Sequence, residues 1–331
     1  MGNSRAGVVL CVALFVAVST GIGTGTGYAQ ELTAAFAAEL LFVPAPLALA
    51  DASFTLLLGA SVADATLLGQ TRFGLLALES QLFSLLLELG DLAVVDKLLF
   101  LDTLVFERNE LRAELVGGGG AFRLAAEAIL EELGPPSPDV NPGLVIEAGV
   151  RSALGVGLTS FTGFGVIRVV EDFVTVLPCL PLDVGCLDGP RPDDRPDRLV
   201  VAPFVFTEQA VRVDLALGAV RLAATPLFML GGFAKLLLDA EIRLQSPLAV
   251  RFFARSTLDP LLVWVRQDVI LQVALGPVSW RTMTRFAGVP LLLEEQTFKL
   301  VVNVSGFHAF SAVLFDAGGL TELRVGAGFR F

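Results

Sequence analysis

The last stretch of the chain, residues 320–331, alternates strictly. Thr321, Leu323, Val325, Ala327, Phe329 and Phe331 are apolar or small, and Glu322, Arg324, Gly326, Gly328 and Arg330 lie between them. A period of two marks a strand with one apolar face and one polar face. The pattern recurs upstream. Leu144, Ile146, Ala148 and Val150 oppose Glu147 and Arg151, and Val211, Val213 and Leu215 oppose Arg212 and Asp214. Leu236, Leu238, Ala240 and Ile242 oppose Lys235, Asp239, Glu241 and Arg243. Residues 31–42, 248–255 and 297–304 repeat it.

Composition narrows what such strands can build. Hydrophobic residues make up 54% of the chain. Beyond the first thirty residues, the longest uncharged runs, 152–167 and 300–315, are 16 residues each and carry glycines and small polar residues. A helical membrane span needs about 20 predominantly apolar residues. The other structure that satisfies its own backbone in lipid is a closed barrel. The expected fold is therefore all-β, an antiparallel transmembrane β-barrel. Counting segments gives about 12 strands, with 10–14 allowed by typical strand and loop lengths.

The closing strand resembles that of the outer-membrane β-barrel proteins of Gram-negative bacteria, a porin-like and transporter superfamily. Their last strand ends on an aromatic residue after alternating apolar positions, as Phe329 and Phe331 do here. Two positions depart from the usual pattern: Ala327 stands where glycine is common, and Val325 where a polar residue is common. The resemblance implies location in the outer membrane of a bacterium, contact with outer-membrane lipid, and recognition of Val325, Ala327, Phe329 and Phe331 by the barrel-assembly machinery.

Residues 1–29 read as a secretory signal peptide: Arg5, an apolar run over 8–19, and a small-residue end at Gly27-Tyr28-Ala29. Residues 30–331 then form a single barrel domain. Two stretches leave their element type open. Residues 53–101 are Leu-rich with scattered charges, and 121–133 fit either a helix ended by Gly134-Pro135-Pro136 or an alternating strand. The segment 104–116 reads as a hairpin turning near Asn109. Residues 178–198 hold five prolines, five aspartates and three arginines, which excludes a strand. This segment is expected to be a long extracellular loop, closed by a disulfide between Cys179 and Cys186.

A net charge of −11 without a basic cluster argues against nucleic-acid binding. The single histidine, His308, rules out multi-histidine metal sites. Ser305 and Ser311 each lie three residues from it, so on one strand they face away from it. No catalytic constellation and no cofactor site is legible.

The charged candidates are the polar faces. Glu147, Arg151, Arg212, Asp214, Lys235, Asp239, Glu241, Arg243, Glu322, Arg324 and Arg330 are expected to face the lumen. Leu237, Phe233, Phe253 and Val301 fall on the same faces, so a narrow, partly apolar lumen is expected. The function expected is a pore or carrier for small, possibly hydrophobic solutes. The alternatives are a structural or surface-interaction protein with a filled lumen, and a secreted β-rich lipid-binding protein. With Tyr28 in the leader and only Trp264 and Trp280 elsewhere, phenylalanine has to supply any interfacial belt.

Overall fold

The computed structural model describes residues 30–44, 47–74, 77–101, 105–132, 140–167, 199–201, 204–245 and 248–330. The leader expected over 1–29, Phe331 and the Cys179–Cys186 pair lie outside the described residues.

The chain is a meander of antiparallel strands. In the first half these are β1 (Gln30–Pro44), β2 (Leu47–Val62), β3 (Ala65–Phe73), β4 (Leu78–Leu89), β5 (Leu92–Leu101), β6 (Val105–Gly117), β7 (Phe122–Glu132), β8 (Val140–Arg151) and β9 (Val156–Phe164). Two short strands, β10 (Val166–Ile167) and β11 (Leu199–Val200), pair only with each other. The second half comprises β12 (Phe206–Leu217), β13 (Val220–Met229), β14 (Gly232–Gln245), β15 (Ala249–Leu258), β16 (Trp264–Leu275), β17 (Val278–Ala287), β18 (Leu292–Val304), β19 (Phe307–Asp316) and β20 (Gly319–Arg330).

β9 pairs with β12, and β20 pairs with β1 from Ala35↔Arg330 to Phe42↔Leu323. The sheet of 18 strands is thus closed and has no edge. This corrects the expected count of about 12. The turns are shorter than assumed. Ala63-Asp64, Gly90-Asp91, Gly218-Ala219, Gly276-Pro277 and Ser305-Gly306 each join two strands with two residues. Each begins on a residue of positive φ, as tight hairpins require. Residues 53–101 therefore hold most of β2 and all of β3, β4 and β5, and almost nothing punctuates them.

Two more readings change. Residues 105–117 form one strand, not a hairpin turning at Asn109. Residues 122–132 take the strand alternative. An even strand number puts both ends of the sheet on one rim. The opposite rim carries the long 165–205 connection.

The outer face is apolar. Phe36, Leu40, Leu124, Ile146, Leu158, Leu238 and Leu300 all stand exposed on it. Near the long-loop rim, phenylalanines gather in cross-strand pairs: Phe100–Phe106, Phe164–Phe206, Phe228–Phe233 and Phe298–Phe315. Phe233 belongs to this outer set because a bulge at Leu227/Phe228 turns it away from the lumen, against the expectation above.

Candidate functional site: the ion-paired lumen wall

Alternation puts every second residue of each strand inside, and those positions collect most of the charge. Bulges apart, β6 sends Arg108, Glu110, Arg112 and Glu114 inward, and β7 sends Arg123, Glu127 and Glu131. Arg112 binds Glu147 of β8 at 2.7 Å, Glu127 at 3.2 Å and Glu114 at 3.2 Å. Arg123 binds Glu114 at 2.8 Å and Glu147 at 3.2 Å. Arg108 binds Glu110 at 2.7 Å. One guanidinium, Arg112, thus holds three carboxylates drawn from three adjacent strands.

A second cluster spans β12 to β15. Asp239 accepts from Arg255 at 2.7 and 2.9 Å and from Arg212 at 2.9 Å. Arg255 and Asp239 are each only 5% exposed at the side chain. Glu241 is shared by Arg243, at 2.7 Å, and Arg251. Arg151 of β8 reaches Asp214 at 2.7 Å across the β9–β12 junction. Gly157 of β9 makes that reach possible, because a Cβ there would lie 2.3 Å from the Asp214 carboxylate. A third cluster has Asp268 of β16 at its centre, bound by Arg266 at 2.8 Å and Arg285 at 2.9 Å.

The expected lumen residues are therefore found as follows. Glu147, Arg151, Arg212, Asp214, Asp239, Glu241 and Arg243 are ion-paired in these clusters. Glu322 and Arg324 pair with each other at 2.6 Å on β20. Lys235 stands opposite inward Leu227. Arg330 is placed in the backbone register opposite Ala35. Arg112 and Glu114 are not among the expected lumen residues because 104–116 reads as a hairpin turning at Asn109, and Arg123 and Glu127 because 121–133 leaves helix and strand open. The signal was present, since charge recurs at 108, 110, 112 and 114 with period two. Arg251 and Arg255 fall on the polar face read from 248–255, whereas Arg266, Asp268 and Arg285 have no counterpart among the expected residues, although 266 and 268 show the same spacing.

The base of the 165–205 connection, at Val166 and Val200, folds inside the barrel, while the expected extracellular loop at 178–198 lies outside the described residues. Val166 and Val200 are buried against inward Ile129, Val145, Phe161 and Leu237. The Val200 amide donates to Glu131 at 3.1 Å, and the Thr207 hydroxyl donates to the carbonyls of Gly163 and Val166. Gly143 leaves the room, since a Cβ there would meet Val166 at 2.3 Å. Leu237, which suggested an apolar lumen, is covered by this plug. His308 is buried and inward, paired with Asn303 at 2.8 Å, whereas Ser311 shares the outward face with Leu300 and Val325.

Closure, an apolar exterior and a charged interior define a membrane-spanning β-barrel. Solved structures share the fold. One is OccK2 (OpdF) of Pseudomonas aeruginosa in complex with glucuronate, with a TM-score of 0.54 and 8% identity over 93% of this chain and 99% of that one. Another is the outer membrane protein opdK of the same organism, at 0.53 and 7% over 92% and 99%. No family model and no curated protein matches the sequence. The fold is that of solved outer-membrane barrels such as these.

Proposed function

We propose that the protein is an outer-membrane pore for small hydrophilic solutes. The observation that carries this reading is an 18-strand closure around a wall of Arg–carboxylate clusters. Barrels of about 16–18 strands leave an aqueous channel that side chains alone do not fill. Of the four residues behind the apolar-solute reading, Phe233 faces lipid and Leu237 lies beneath the β10–β11 stem, while Phe253 and Val301 face the lumen, so the charged clusters rather than the apolar positions carry the proposal. Arginines of β15–β17 suit anionic groups, and OccK2 was solved with glucuronate, a carboxylate sugar. Residues 325–331 would serve as the assembly signal.

The β10–β11 stem favours a second reading, a lumen closed by its own loop. Planar-bilayer conductance separates the two. An open pore gives discrete ohmic steps, and Arg112→Ala, which removes one positive charge from the cluster of Glu114, Glu127 and Glu147, should raise the cation-to-anion permeability ratio at least about twofold. A folded, heat-modifiable barrel that carries no current would favour the closed reading.

A further inference from the structure

The outward face contains one exception to its chemistry. Away from bulges and strand ends, Asp96 is the one charged residue among the described residues whose register points it at lipid. Its partners in register are Leu85 and Leu111, both exposed on the outer face. On β5 itself, outward Leu92 and Val94 lie on one side of it and Leu98 and Phe100 on the other, so it sits mid-belt. Asn109 of β6 donates to the Asp96 carboxylate at 2.6 Å and to the Lys97 carbonyl at 3.2 Å.

Acyl chains offer this carboxylate no donor, and ionisable groups facing the membrane are costly unless something pairs with them. Only another membrane-embedded protein reaches that depth. A second copy of this chain, inserted in the same orientation, carries the same pair at the same height. A twofold axis along the membrane normal then sets Asp96 of one copy against Asn109 of the other, twice over. Each amide exchanges its longer bond, to Lys97, for a bond to the facing carboxylate. Donors and acceptors balance without any added group. The neighbouring outward positions Ala113, Ala126, Ala128 and Ala148 are small, which lets two walls approach closely.

We propose that the Asp96–Asn109 face of β5–β8 is the contact between two copies of this barrel. The test uses the folded, detergent-extracted protein. Leu111→Cys places a thiol beside the pair, and mild oxidation should trap a species of twice the monomer mass. Asp96→Leu should lower the dimer fraction about tenfold while leaving a heat-modifiable barrel, and Asp96→Asn, which keeps an acceptor, should retain the dimer. A Leu111→Cys barrel that stays monomeric would overturn the proposal, as would capture on a different protein or an Asp96→Leu dimer as stable as the original. Conductance of single barrels is read separately, so failure here leaves the pore reading untouched.

Discussion

The wall built from β2–β5 and the wall built from β14–β17 share one ladder geometry and differ in what points inward. On β2–β5 the inward positions are mainly Leu57, Leu68, Leu82, Leu86 and Leu99, interleaved with Ser53, Thr55, Ser80 and Ser84, and charge is sparser there, with Lys97 and with Arg72 bound to Glu79 at 2.8 Å. On β14–β17 they are chiefly Asp239, Glu241, Arg243, Arg251, Arg255, Arg266, Asp268 and Arg285. Both walls close the same barrel, so ladder hydrogen bonds and closure set the architecture. The inward side chains set how firmly each wall is locked and what the lumen presents. If that is right, the two walls should respond very differently to comparable deletions.

The largest difference is expected at Arg255. Its side chain and that of Asp239 are nearly sealed from solvent, and removing Arg255 takes away two of the three hydrogen bonds that hold the buried Asp239 carboxylate, leaving only the one from Arg212. Arg255→Met should cost about 3–5 kcal/mol. On the other wall, Leu82→Ala removes a half-buried side chain and should cost about 1 kcal/mol. The temperature at which the unheated gel mobility is lost reads both. Equal shifts would mean that the charged wall is no more tightly fixed than the Leu-rich one.

A smaller effect sharpens the inside–outside assignment on both walls. Leu238→Arg faces lipid near the middle of β14 and should cost about 2–4 kcal/mol. Leu82→Arg faces the lumen, where a guanidinium keeps water, and should stay within about 1 kcal/mol of the parent. A reversal of that order would mean that β4 is out of register by one residue.

The same contrast explains how far the fold could be read from sequence. Period two is visible only where the faces differ in chemistry. β14 shows it plainly, with Lys235, Asp239, Glu241 and Arg243 against Leu236, Leu238 and Ile242. β4 hides it, because Leu82 and Leu86 face the lumen while Phe83, Leu85 and Leu87 face lipid. β5 goes further and inverts it, with Asp96 outside and Lys97 inside. Two-residue turns such as Ala63-Asp64 supplied no further break, so the strand count fell short. On β6 the alternation was clear, but Asn109 looked like a turn residue; its amide instead serves Asp96. The inward fold of the 165–205 base had no local signature, because Val166 and Val200 are ordinary apolar residues until Gly143 makes room for them.

The smallest expected effect concerns the strand that made the barrel legible at all. Glu322 and Arg324 on β20 lie two residues apart on one face, 2.6 Å from each other, and each is 29% exposed at the side chain. Their chemistry matches Arg255–Asp239, but water reaches both groups. Coulomb attraction is weak there and the two side chains give up rotamer freedom to meet, so Glu322→Gln should cost less than about 1 kcal/mol. Salt distinguishes the two cases. Raising ionic strength to about 1 M shortens the screening length to roughly 3 Å, which should erase the small Glu322→Gln shift and leave most of the Arg255→Met shift in place. If instead both losses fade together, solvent reaches the Arg255–Asp239 pair as freely as the β20 pair. Burial would then not be what separates the charged wall from the rest of the barrel.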